Sequence, residues 1–161
     1  KYADSLCIYA SHQIDSGAQI LQIFESWSHH MGEEMWVAFA KPYASQVAKY
    51  LKEKHPDVPV VYFANGGSAY LHAQTDMPVD GLSLDWKISM NHARKIAPNT
   101  VLAGNVDPVV LYGSDENIRK AARHAIDNGC DVLNLGHGVE KDTREEAVGI
   151  FVDEARNSYK N

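Results

Sequence analysis

Cysteine is scarce. Cys7 and Cys130 are the only two in 161 residues. They stand far apart, without the close spacing of a zinc ligand set or a disulfide framework, so two reduced core thiols are expected. Long apolar runs are absent as well. None approaches the roughly 20 residues that span a bilayer, so no membrane-crossing helix is expected. No signal-peptide pattern opens the chain. Its first residues, Lys1-Tyr2-Ala3-Asp4, lack Met and already read as helix, so the start is expected to be a cut rather than a natural terminus. Basic clusters are lacking too. With 15 Lys and Arg against 21 Asp and Glu, the net charge is -6, which argues against a nucleic-acid partner. HExxH, P-loop and dinucleotide fingerprints do not occur.

What is present is an ordinary globular composition, 45% hydrophobic, of a length suited to one domain over residues 1–161. Apolar runs alternate with helical periodicity. Strands are expected over residues 18–24, 58–63, 81–86, 100–105 and 132–135. Met35, Phe39, Tyr43, Val47, Tyr50 and Leu51 keep helical spacing, which predicts one helix over residues 33–53. A short helix is expected from Ser68 to about Gln74. Ser89 is placed to cap a helix to about Ile96, and Ser114 one to about Asn128, with Gly129 as its C-cap. Asp142-Thr143-Arg144-Glu145 reads as the start of the last helix.

One helix followed by five strand–helix units implies parallel strands with helices over them. Two architectures fit: a doubly wound open sheet, or part of a (β/α)8 barrel. Five units are too few to close a barrel, which needs about 250 residues. In either fold, ligands meet the loops at the carboxyl ends of the strands. Those ends here read Phe24-Glu25-Ser26, Asn65-Gly66-Gly67, Asp85-Trp86, Asn105-Val106-Asp107-Pro108 and Gly136-His137-Gly138, all polar or bare. Five such ends in succession suggest a lined pocket.

Each candidate has two readings. Side-chain alternation puts Phe24 and Ser26 on one face and Glu25 on the other. Ser26 either faces a ligand or caps the next helix. His137 either bonds a carboxylate from its glycine-framed turn or bonds a neighbouring carbonyl. Asp85 and Asp107 are acids at a pocket floor or loop caps. Glu25, His29, His30, Glu33 and Glu34 resemble a metal cluster only superficially, since their spacings do not suit zinc. Gly66-Gly67-Ser68 precedes a helix in the manner of a phosphate cradle without matching one. Trp27, Trp36 and Trp86 read as packing residues.

Four stretches occur together in order: Phe24-Glu25-Ser26-Trp27, Gly81-Leu82-Ser83-Leu84-Asp85-Trp86, Gly104-Asn105-Val106-Asp107-Pro108 and Asn134-Leu135-Gly136-His137-Gly138. They resemble the C-terminal half of the uroporphyrinogen decarboxylase family, with wording nearer the plastid type, and the resemblance runs over essentially all 161 residues. It implies an α/β fold of parallel strands, the last five β/α units of a partial (β/α)8 barrel. It implies a carboxy-lyase that converts the acetate side chains of uroporphyrinogen to methyls, giving coproporphyrinogen on the route to haem and chlorophyll. No cofactor and no metal are implied. Ser26 and His137 are implied in catalysis and, with Phe24, in lining the substrate cleft. The implied partners are the substrate, an N-terminal barrel half and a second copy in a homodimer. The implied compartment is the chloroplast stroma or the cytoplasm.

The family's arginine pair, its pyrrole-binding aspartate and its mid-barrel tyrosine have no counterpart in this sequence. The chain alone is therefore expected to be inactive. Its own arginines, Arg94, Arg119, Arg123, Arg144 and Arg156, all read as helix residues remote from the strand ends. Two rival readings are a non-catalytic, decarboxylase-like subunit and a cofactor-dependent methyltransferase of the same barrel superfamily. The methyltransferases place zinc-binding Cys at strand ends, and this chain does not.

Overall fold

A computed structural model describes residues 1–158. Residues 159–161 of the expected domain lie outside the described residues. The chain folds as two compact units, Lys1–Ser83 and the part from Leu84 onward.

In the first unit α1 (Tyr2–Asp15) leads into β1 (Leu21–Glu25) and a 3-10 turn at Ser28–His30. Then come α2 (Glu33–Phe39), α3 (Lys41–Lys54), β2 (Val60–Ala64), an irregular 3-10 stretch at Gly67–Gln74, and β3 (Gly81–Ser83). β1 pairs parallel with β2, Leu21 opposite Val60 through Glu25 opposite Ala64. β2 pairs parallel with β3, Val61 opposite Gly81 through Phe63 opposite Ser83. Ala3, Cys7 and Ala10 of α1 pack with Val47, Ala48 and Leu51 of α3 over Leu21 and Val60. The small residues on α1 let the helix sit close. Burial raises the pKa of the Cys7 thiol.

The second unit holds α4 (Met90–Ile96), β4 (Val101–Val106), a 3-10 turn at Pro108–Tyr112, α5 (Asp115–Asp127), β5 (Val132–Leu135) and α6 (Glu145–Ser158). β4 and β5 pair parallel, Ala103 opposite Val132 through Val106 opposite Leu135. In both units neighbours in sequence are neighbours in the sheet. Neither unit therefore contains the order reversal of a doubly wound fold. Ser89 and Ser114 cap α4 and α5, accepting from His92 N and Asn117 N. Cys7 and Cys130 are buried thiols with no disulfide between them. No helix among the described residues is long and apolar enough to cross a membrane.

Several expected boundaries move, for local reasons. The helix expected over residues 33–53 is two helices that meet at Ala40, whose φ and ψ are -111° and -54°. Pro42 has no N–H to give to the Ala38 carbonyl, and proline is tolerated only in a helix's first turn, where α3 places it. β1 starts late because Ala18 N donates to Gln13 O and closes the end of α1. β3 stops at Ser83, short of the expected Trp86. α5 ends at Asp127 with Asn128 as its C-cap, and Gly129 follows at φ 101° rather than forming the cap itself. The last helix begins at Glu145. Asp142, at φ 66°, breaks the backbone before it, so Arg144 is a loop residue and not a helical one.

On α6, Ala147, Phe151 and Glu154 share the buried face. A carboxyl on that face needs partners, and α5 supplies Arg119 and Arg123 one turn apart. The Arg123 hydrogen bond holds the Glu154 carboxyl below its ordinary 4.5 against the opposing effect of burial. A depressed carboxyl adds stability above its unfolded pKa and loses it as pH falls through the folded one. Urea unfolding at a series of pH values is expected to show the wild type losing stability below about pH 4.5, with Glu154→Gln less stable at pH 7 and flatter in acid.

Candidate functional site

In the first unit the ends of β1 and β2 are tied through Asn65. Its N–H donates to Glu25 O at 3.1 Å and its Nδ2 to Ser26 O at 3.2 Å, while its carbonyl accepts from Ser28 Oγ at 2.5 Å. Tyr70 OH donates to Ser28 O at 3.2 Å, and Tyr70 stacks on Trp36, ring centroids 4.9 Å apart. Trp36, fully buried, donates from Nε1 to Tyr62 OH at 3.1 Å. Burial pushes the Tyr62 hydroxyl well above its ordinary pKa, with the Trp36 bond opposing. The loop carrying Ser26 therefore rests on a bonded aromatic floor.

Ser26 is exposed, and Phe24 is 66% exposed with its ring edge-on to Phe63 at 5.9 Å. Glu25 is only half-buried on the alternate face, and that burial raises its pKa. The helix-cap reading of Ser26 does not hold: Trp27 precedes the Ser28–His30 turn, and no side chain caps it. The supposed metal cluster is dispersed. Glu33 pairs with His72 at 2.9 Å, and His29 and His30 pack their rings together beside Trp27. Among the described residues no group of three or more His, Cys, Asp or Glu is arranged to hold a metal ion. Gly66 and Gly67 are no phosphate cradle either. A Cβ on Gly66 would stand 2.5 Å from the Cβ of His29, so the bare backbone serves packing.

In the second unit Asp85 is fully buried. Its Oδ1 accepts Lys87 N–H at 2.8 Å and its carbonyl accepts Asn105 Nδ2 at 2.9 Å. Asp107 caps the following turn, accepting Val109 N–H at 3.0 Å. The loop reading thus accounts for Asp107, whereas Asp85 shapes its turn from within the core. Gly136 N donates to Val106 O at 2.8 Å. A Cβ on Gly136 would stand 2.5 Å from Trp86 N, so this glycine lets β5 and the Asp85-Trp86 backbone meet.

His137, partly exposed, meets Trp86 edge-on with ring centroids 5.7 Å apart. Its Nδ1 lies 3.2 Å from Gly138 O and 3.9 Å from Glu140 Oε1. The neighbouring-carbonyl bond is thus present, and it leaves Nε2 for a ligand. The loop beyond is anchored by Tyr112 OH on Lys141 O and by Arg144 on Gly113 O and Asp115. Of the expected site residues, Phe24 and Ser26 share the β1 end of the first unit, and His137 stands at the β5 end of the second. The arginines are committed elsewhere. Arg94 binds Thr100 O, Gly129 O and Asp131, at the amino ends of β4 and β5. Arg119 and Arg123 bind Glu154, and Arg156 lies near Asp153.

The sequence reading missed two contributors, Trp86 as the surface against which His137 rests and Lys87 beside it. The available signal was their position directly after the third strand.

Comparison with known proteins adds the following. The family model for uroporphyrinogen decarboxylase matches residues 1–158. A uroporphyrinogen decarboxylase of Crocosphaera subtropica is 38% identical over 97% of this chain and 45% of its own length. One of Trichodesmium erythraeum is also 38% identical, again over 97% and 45%. A uroporphyrinogen decarboxylase of Zea mays, named as chloroplastic, is 38% identical over 97% of this chain and 41% of its own length. The chain thus spans less than half the length of these relatives. A solved methyltransferase from Methanosarcina mazei superposes with a TM-score of 0.87 at 24% identity, over 98% of this chain and 47% of that one. A 2,3-dimethylmalate lyase superposes with a TM-score of 0.58 at 17% identity. These two likenesses concern fold alone, and they bear out the partial α/β barrel.

Proposed function

The chain belongs to the uroporphyrinogen decarboxylase family, and on that premise we propose that it is the C-terminal barrel part, over residues 1–161, of a carboxy-lyase. That enzyme removes the acetate carboxyls of uroporphyrinogen to give coproporphyrinogen. The observation that carries this reading is the family match over residues 1–158, which takes in all four strand-end stretches. The methyltransferase alternative has only a fold-level likeness behind it.

The chemistry needs little more than a proton and a shaped site. Loss of CO2 breaks the bond between the acetate methylene and its carboxyl, and the electron pair needs a sink. Protonating the pyrrole ring carbon makes that sink. Protonation of the exocyclic methylene gives the methyl group, and loss of the added proton from the ring carbon restores the pyrrole, so one proton is consumed for each CO2 released. No cofactor or metal is required. Ser26 and His137 hold substrate carboxylates or the ring by hydrogen bonds, and Phe24 offers an apolar wall. The general acid and the arginine clamp belong to a further barrel segment, on the same polypeptide or another. The committed arginines of this chain support that division. A second copy as partner and a chloroplast stroma or cytoplasmic setting complete the reading, the plastid option being favoured by the Zea mays relative.

The test is a uroporphyrinogen decarboxylation assay of the purified chain, alone and combined with a family N-terminal barrel half. The reading expects CO2 release and coproporphyrinogen only from the combination. A combination that folds and binds the porphyrin yet turns over nothing supports a non-catalytic subunit instead.

A further inference from the structure

Lys87 directly follows Trp86, and its backbone N–H is fixed on the buried Asp85 carboxylate at 2.8 Å. Its side chain is exposed, with Nζ 5.7 Å from the centroid of the Trp86 ring. The His137 ring meets the same indole edge-on at 5.7 Å. Every arginine of this unit is committed to a carboxylate or a backbone carbonyl. Among the described residues Lys87 enters no ion pair. An ammonium held beside an aromatic ring and not neutralised by its own protein is available to an external anion. With Nδ1–H given to Gly138 O, His137 leaves its Nε2 for a ligand beside the same indole.

We propose that Lys87 and His137, gathered around the Trp86 ring, form a recognition subsite for the carboxylates of the polyacid ligand. The proposal rests on the decarboxylase reading and adds to it a cation that this chain supplies itself. Trp86 sets where both groups stand, and the buried Asp85 turn sets where Trp86 stands. Lys87 binds and does not transfer protons, so its removal falls on KM and spares kcat.

The experiment compares wild type, Lys87→Met and Lys87→Arg in the decarboxylase-active protein, by kinetics on uroporphyrinogen and by equilibrium binding of the corresponding octacarboxylate porphyrin. Lys87→Met is expected to raise KM and the porphyrin Kd about tenfold, the loss of one charge-assisted contact, with kcat within about twofold. Lys87→Arg restores most of the affinity, and the Met variant shows a weaker dependence on ionic strength than wild type. Lys87 is exposed, so melting temperatures should match. Unchanged KM and Kd in an otherwise active Met variant overturn the inference alone. A wild-type protein that neither binds nor decarboxylates the porphyrin overturns the decarboxylase reading, and the inference with it.

Discussion

Replacing Gly136 by alanine in the decarboxylase-active protein is expected to lower kcat/KM for uroporphyrinogen about a hundredfold, the scale of effect that a displacement of about 1 Å in an active site produces. The new Cβ would stand 2.5 Å from Trp86 N, 2.9 Å from Asp85 C and 3.2 Å from Asp85 Cα. All three are backbone atoms of a turn pinned by Asp85 Oδ1 on Lys87 N–H and by Asn105 on the Asp85 carbonyl. No side chain can rotate out of the way. Relief must come from moving the end of β5, and His137 and the Trp86 ring move with it. Overpacking of this kind also costs about 1–3 kcal/mol of stability, measurable by urea unfolding. Gly138→Ala is the matched control: a Cβ there meets nothing within 4 Å, so it should leave stability nearly unchanged.

The second large effect is on the fold. Trp36→Ala is expected to destabilise by about 3–5 kcal/mol, the usual range for emptying a buried tryptophan site. Trp36 is fully buried, stacks on Tyr70 and donates to Tyr62 OH at 3.1 Å. Truncation leaves a cavity and removes the donor to a hydroxyl that burial already keeps protonated. The loss does not stay local. Tyr70 holds Ser28 O, Ser28 Oγ holds Asn65 O, and Asn65 Nδ2 holds Ser26 O. Trp36→Phe keeps a six-membered ring in the site and loses the hydrogen bond with only the pyrrole part of the indole volume. It should cost about 0.5–1.5 kcal/mol, and denaturant titration of the two variants separates packing from bonding.

Much of this arrangement was readable from the chain itself, where the cause lay within a few residues. Ser89 and Ser114 cap their helices because a hydroxyl at that spacing meets an amide three residues on. β5 keeps its expected bounds of Val132–Leu135. The break at Ala40 was equally local and was passed over, because apolar periodicity continued through Pro42 while the backbone could not. Other features depend on partners far along the chain. Gly136 was recognised as bare, but what it accommodates is the Trp86 backbone, some fifty residues earlier. Trp86 was read as a packing residue because nothing in its neighbours announces the His137 ring. Lys87 carries no motif of its own, whereas the arginines are tied to Glu154, Asp131 and Asp115, partners distant in sequence.

The measurement closest to the heart of this account is kcat/KM for uroporphyrinogen decarboxylation by His137→Asn in the decarboxylase-active protein, with its melting temperature recorded alongside. The account predicts a fall of about a hundredfold, the size associated with losing one hydrogen-bonding group aimed at developing charge, at an unchanged melting temperature. An Asn variant that matches wild type in kcat/KM would contradict it.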